Sequence, residues 1–144
     1  MAGENVKDFS ILDCSLNFAA INLNQGAGEG DFVKFEKVTP DFKTKEGSDG
    51  SVIRIYTGST LWKITLTLLQ TSAINAILAG INALDTSLRA GVAPFFFKNN
   101  RGVDTFASPS AWIEKPADAA FGADGSNREW TIYAAQGVAL FGGS

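Results

Sequence analysis

The chain has 144 residues, 45% of them hydrophobic and 19% charged, with a net charge of −3 and a single cysteine. That length suits one domain with a core of its own, and charge below the usual ~25% leaves apolar surface for partners to cover. The acidic balance argues against a phosphate-neutralising nucleic-acid footprint, lone Cys14 excludes an intrachain disulfide or multi-cysteine metal site, and no apolar run is long enough to span a bilayer.

The opening residues 1–8 lack the basic start and apolar run of a signal peptide, so synthesis and assembly are expected in a reducing cytoplasm. Residues 9–23 mix β-branched and aromatic residues with polar ones and predict a strand or two, with Cys14 as a small buried hydrophobe. Residues 25–31 are a glycine-rich turn; no helix follows and no Gly-Lys-Ser/Thr closes it, so it is not a phosphate loop. Residues 32–38 alternate as a half-buried strand does, Val33 and Phe35 inward, Lys34 and Glu36 outward. A long polar connection over residues 39–50 ends in Asp49-Gly50 and leads to a strand over 51–57, with Ile53 and Ile55 inward and Arg54 and Tyr56 outward. These two strands predict a hairpin with an oversized loop, and unstructured loops of about 12 residues usually carry function.

Residues 61–70 predict a third strand, with Trp62, Ile64, Leu66 and Leu68 on one face and Lys63, Thr65 and Thr67 on the other. Then the period changes. Ser72 can cap a helix, Ile74, Ile77, Leu78, Ile81, Leu84 and Leu88 follow at helical spacing, and Gly91 and Pro94 stop it. The resulting amphipathic helix, within residues 71–90, is expected as a lid on a sheet; its polar side has too few basic residues for a membrane-surface helix. Phe95, Phe96 and Phe97 read as a strand buried on both faces. Residues 99–102 form a turn, a strand over 104–114 is broken at Ser108, Pro109 and Ser110, and the last strand covers 129–140 with Trp130 and Ile132 opposite Thr131 and Tyr133. The fold expected is mainly β with one α-helix, a single domain over residues 1–144. Its core is Val33, Phe35, Ile53, Ile55, Trp62, Ile64, Leu66, Leu68, Ile74, Ile77, Leu78, Ile81, Leu84, Trp130 and Ile132.

Chemistry is sparse. The chain has no histidine, which removes the commonest general base and metal ligand. The carboxylates Asp104, Glu114, Asp118, Asp124 and Glu129 each suit a turn or a surface, and residues 124–127 lack the ligand ladder of a calcium loop. No enzyme activity, cofactor or metal is expected. Trp112 is the one tryptophan placed to be exposed, which keeps a carbohydrate-binding β-sandwich open as an alternative.

Several segments, in one order along nearly the whole chain, resemble the tail tube proteins of contractile-tailed bacteriophages. They are Gly28 to Val33, Gly47 to Arg54, Ile64 to Leu68 with Gln70, Thr71 and Ser72, then Asn75. Ala111-Trp112-Ile113-Glu114-Lys115-Pro116, Phe121-Gly122, Asn127-Arg128-Glu129-Trp130 and Gly142-Gly143 close the set. Arg54-Ile55-Tyr56 and the terminal Ser144 depart from the pattern. The resemblance implies a β-sandwich or half-barrel subunit whose inner sheet joins a ring-wide β-barrel. Six copies would form a ring, and stacked rings would form a hollow tube inside a contractile sheath, through which double-stranded DNA passes. It implies a virion tail location and, as partners, further copies of the chain, the sheath protein, the baseplate hub and the tape-measure protein, with no membrane anchoring. Injection tubes of phage-tail-like bacteriocins and secretion systems share this fold class, and a non-tube tail component such as a terminator, which would form single rings and no fibres, is the nearest alternative.

Four strands from each of six subunits, at ~4.8 Å spacing, would give a backbone diameter of roughly 37 Å before tilt, enough for a duplex. Six copies at −3 each carry −18, so the tube as a whole should repel DNA. The faces expected toward the lumen hold Lys34, Glu36, Arg54, Lys63, Thr65 and Thr67, a mixed set. The loop over 39–50 is the expected ring-to-ring contact, through Asp41, Phe42, Lys43, Lys45, Glu46 and Asp49.

Overall fold

A computed structural model of the chain describes residues 14–19, 21–22, 33–99, 103–119, 121 and 127–142. The glycine-rich turn at 25–31, the N-terminal residues, the turn at 100–102, the 124–126 stretch and the terminal Gly143 and Ser144 lie outside the described residues.

The elements are β1 (Cys14–Phe18), β2 (Ile21–Asn22), β3 (Val33–Lys37), β4 (Phe42–Glu46), β5 (Val52–Tyr56), β6 (Trp62–Leu69), α1 (Ile74–Leu88), β7 (Ala93–Asn99), β8 (Thr105–Lys115), β9 (Asn127–Ala135) and β10 (Val138–Leu140). Nearly all strands join one antiparallel sheet of order β2-β1-β7-β8-β9-β6-β3, with β10 beside β8; β4 and β5 form a separate two-stranded arm. The sheet curls into a half-barrel. Phe35, on β3 at one end of that order, packs on Phe97 of β7 at 5.2 Å and Phe106 of β8 at 5.0 Å, although two strands, β6 and β9, lie between β3 and β8 in the sheet.

The concave side is the core. Leu16, Phe18, Ile64, Leu66, Leu68, Phe95, Phe106 and Ile132 are fully or almost fully buried there, with Trp130, Ile74 and Leu78 beside them. Val33, Phe35, Trp62 and Ile81 are half-buried against this cluster. Strand alternation produces this result because successive side chains point to opposite faces.

Asn75 fastens α1 to the sheet. Its amide donates to the Leu69 carbonyl at 2.8 Å and the Gln70 carbonyl at 3.3 Å, and its oxygen accepts the Trp130 indole N–H at 3.0 Å. The N-cap is Ala73, which has no side-chain cap bond, and not Ser72 as expected; the Ser72 hydroxyl, one residue earlier, accepts the Ile74 amide at 3.3 Å. At the other end Arg89, not Gly91, takes the left-handed cap conformation (φ 55°); the Gly91 amide donates to the Asp85 carboxylate at 3.2 Å.

The structure corrects several expectations. Residues 39–50 are not an unstructured loop, because β4 occupies their middle and pairs with β5 from Phe42–Tyr56 to Glu46–Val52. Strand β3 pairs instead with β6. In consequence Ile53 and Ile55 are 59% and 42% exposed rather than core: the arm has no second layer to bury them. On α1, Ile77 and Leu84 are exposed because the sheet covers only the side holding Ile74, Asn75 and Leu78. Phe96 points away from the core between exposed Ala107 and half-buried Asn17, so the phenylalanine run is buried on one face only. The strand through Ser108, Pro109 and Ser110 is continuous, with one extra residue on β8 between the Phe95–Ser108 and Ala93–Ala111 pairs. Pro109 lies in this bulge, where a missing N–H costs little. The last strand pauses at Gln136 (φ 55°) and Gly137 but resumes on β8 without a register change.

Candidate functional site

The arm is the feature most in need of a partner. Phe42, Val52, Ile53, Ile55 and Tyr56 are all exposed on it, whereas an isolated two-stranded hairpin is marginally stable in water. Both ends are nonetheless well built. At the root, the Thr57 amide donates to the Asp41 carbonyl at 2.9 Å, and the Thr57 hydroxyl reaches the Pro40 carbonyl at 2.6 Å. Lys37 forms an ion pair with Asp41 and lies 5.8 Å from the Trp62 ring centre. The arm is thereby tied to β3 and β6.

At the tip, the Gly47 amide donates to Ser51 at 2.7 Å and the Gly50 amide to Gly47 at 3.0 Å. Gly50 has φ 86°, a left-handed conformation in which a side chain would be strained. The Asp49 carboxylate accepts the Ser51 amide at 3.1 Å and its hydroxyl at 2.7 Å. These bonds hold the Asp49 carboxyl below its ordinary pKa.

The two faces of the arm differ. Phe42, Thr44, Glu46, Val52, Arg54 and Tyr56 share one; the Arg54 guanidinium stacks 4.3 Å over Phe42, and Phe42 packs on Tyr56 at 5.5 Å. The other places Lys43 opposite Ile55 and Lys45 opposite Ile53, an apolar strip with a basic border. Of the six residues expected to make the contact, Asp41 is thus at the root, Phe42, Lys43, Lys45 and Glu46 are in β4, and Asp49 is at the tip. Val52 and Tyr56 were missed, and their place beside Ile53 and Ile55 in one apolar run was the available signal.

The polar face expected to line a channel comes together in part. Lys34 opposes Thr65 and Glu36 opposes Lys63 on the convex side of the sheet, and Lys34 bridges Glu36 at 2.9 Å. The Lys34 hydrogen bond, with its charge and that of Lys63, lowers the Glu36 pKa. Arg54 belongs to the arm instead, because β5 left the sheet. Thr67, a short side chain opposite the longer Glu129, is buried within the chain. Pairing carries the same face onto Thr131 and Tyr133 of β9 and Trp112 of β8, residues the sequence reading had not assigned to it.

Trp112 donates its indole N–H to Glu114 at 2.7 Å and lies 6.5 Å from the Tyr133 ring. Beside it, Lys115, Pro116, Asp118, Asn127, Glu129 and Thr131 line an open cleft of about 260 Å³. Among the described residues no three acidic or sulfur side chains are grouped to hold a metal, and no helix is long and apolar enough to cross a membrane.

No family model matches the chain. It is 25% identical over 122 residues to "Structural protein ORF10" of Pseudomonas phage KPP10, covering 81% of this chain and 70% of that protein. Among solved structures, its fold is similar to the sheath/tube terminator of an extracellular contractile injection system, PVC, in the extended state. The TM-score is 0.58 at 12% identity, over 94% of this chain and 99% of that one. It is also similar to the tube-terminating cap of the anti-feeding prophage, with a TM-score of 0.56 at 9% identity, over 94% of this chain and 92% of the other. The mostly β, half-barrel architecture with one helix is thus that of tail-tube-related proteins, and these relatives are structural components, not enzymes.

Proposed function

We propose that this chain is a structural component of a contractile tail and, more closely, a tube subunit that forms stacked hexameric rings enclosing a conduit for DNA. The observation that carries this reading is the arm: a preorganised hairpin that exposes five large apolar side chains has its natural use in a second copy. The similarity to a phage structural protein and the fold shared with injection-tube components support the tail setting. Rings that stack head to tail use different surfaces on each side and grow along an open axis. In this reading the convex face with Lys34, Glu36, Lys63 and Thr65 lines the lumen, and Asp41 to Asp49 reach the next ring. The sheath, baseplate hub and tape-measure proteins are its partners, in a virion or a bacteriocin-type particle assembled in the bacterial cytoplasm.

A terminator is the second reading, because both structural neighbours named above end a tube. Negative-stain electron microscopy of the concentrated protein separates the two. Hollow stacks of uniform width support the tube subunit, and single rings that never stack support the terminator. Protein that is monomeric at every concentration, and fails to add to preformed tails, would remove both.

A further inference from the structure

The chain carries a second uncovered apolar surface. On α1, Ile77, Ile81, Leu84 and Leu88 recur at intervals of four, three and four residues, the spacing of a narrow seam along one helix. Ile77 is 41%, Leu84 44% and Leu88 69% exposed, while Ile81 is half-buried between this seam and the stripe facing the sheet. The helix thus has one apolar stripe more than its own sheet uses. The small Gly80 lies alongside, with open space where a side chain would be, so a partner can approach the backbone closely.

We propose that the apolar strip of the arm, Ile53 and Ile55 bordered by Lys43 and Lys45, docks on this α1 seam of a second copy of the chain. The inference rests on the ring-forming reading above and names the surfaces that would meet. Three features favour this occupant. First, the dimensions match: a five-residue strand pair is ~17 Å long at ~3.3 Å per residue, and the seam from Ile77 to Leu88 is also ~17 Å at 1.5 Å per residue. Second, the two strips are of comparable size: the exposed parts of Ile53 and Ile55 come to roughly 200 Å² and the seam to roughly 300 Å², so the contact supplies about a third of the ~800 Å² per partner in a standard interface. Third, the charges are compatible: the one ionisable side chain within α1 is acidic Asp85, a counter-charge for the arm lysines, and basic Arg89 lies beyond the last residue of the seam.

Symmetry selects between occupants. A seam at coiled-coil spacing could pair with its own copy, but such a contact is two-fold and self-complementary, and makes a closed dimer. Rings and stacks need two different patches on one chain. The arm strip and the helix seam are two such patches, each without a cover in the single chain.

Cysteine cross-linking tests the contact at exposed positions where folding is not at risk. I53C and L84C are made separately, mixed at high concentration, oxidised mildly and run on a non-reducing gel, with electron microscopy of the same sample. Cys14 is buried and serves as an internal control in the unmodified chain. The expected result is a covalent dimer in the mixture at least ~10-fold more abundant than in either variant alone. Abundant L84C–L84C dimers would overturn the proposal in favour of helix pairing. Rings or tubes without the 53–84 bond would overturn it while leaving the assembly reading intact. Neither assembly nor cross-link would sink both.

Discussion

The hydrogen bonds of Asn75 make a quantitative prediction about how the helix is held. Asn75 is 7% exposed and Trp130 is 3% exposed, so neither side chain can turn to water when the other is lost. In Asn75→Ala the Trp130 indole N–H loses its acceptor at 3.0 Å, and the Leu69 carbonyl loses its donor at 2.8 Å. A typical bond is worth about 1 kcal/mol net, and a buried donor left unpaired costs about 1–3 kcal/mol. The sum is a destabilisation of roughly 2–4 kcal/mol, or about 5–15 °C in Tm for a domain of this size. Urea denaturation followed by tryptophan fluorescence measures it, with assembly suppressed by low protein concentration. Asn75→Asp should fall in the same range. It keeps the acceptor for Trp130 but sets carboxylate oxygens against two carbonyls. A loss below about 0.5 kcal/mol for both variants would refute the claim that this residue fastens α1 to β6 and β9.

Other positions make sharper but smaller demands. Gly80→Ala in the middle of α1 meets open space and should stabilise the chain by about 0.5–1 kcal/mol in a thermal melt; if Ile77, Leu84 and Leu88 face a second copy, the same change should weaken assembly. Gly137→Ala should destabilise by about 1–3 kcal/mol in urea, since the new methyl would stand 2.6 Å from Trp62 and 3.0 Å from Phe106. The Asp49 turn should titrate out late. Its carboxyl pKa is lowered in the folded arm by the Ser51 hydrogen bonds, so its contribution is fully present above the unfolded value and is lost as pH falls through the lower folded one. The Ser51 amide resonance should therefore shift with a midpoint below the ordinary aspartate value, and a midpoint above that value would contradict the assignment.

Much of the core was legible because alternation and helical spacing report which side of an element is apolar. Ile64, Leu66 and Leu68 in β6, and Trp130 and Ile132 in β9, are buried for that reason. The same signal misleads where an apolar side has no cover within the chain. Ile53 and Ile55 alternate as cleanly as core residues, and Ile77 and Leu84 keep helical spacing, yet all four are exposed. Periodicity records that a face is apolar, not which chain covers it. The β4 strand was illegible for a different cause. Phe-Lys-Thr-Lys-Glu after Pro40 and before Gly47 has one large apolar residue and reads as a connection; it is extended because β5 pairs with it. The bulge at Pro109 was read as a break, since proline cannot donate to a ladder and the sequence alone does not reveal an extra residue that absorbs the mismatch.

The central claim is that copies of this chain hold one another through the arm, and sedimentation velocity tests it most directly. The intact protein is compared over a wide concentration range with a variant lacking residues 43–48, which removes most of β4 while leaving the half-barrel strands and Asn75 in place. The account predicts ring-sized or larger species for the intact chain and monomers for the variant, with a thermal transition retained in both. Equal assembly of the two would contradict it.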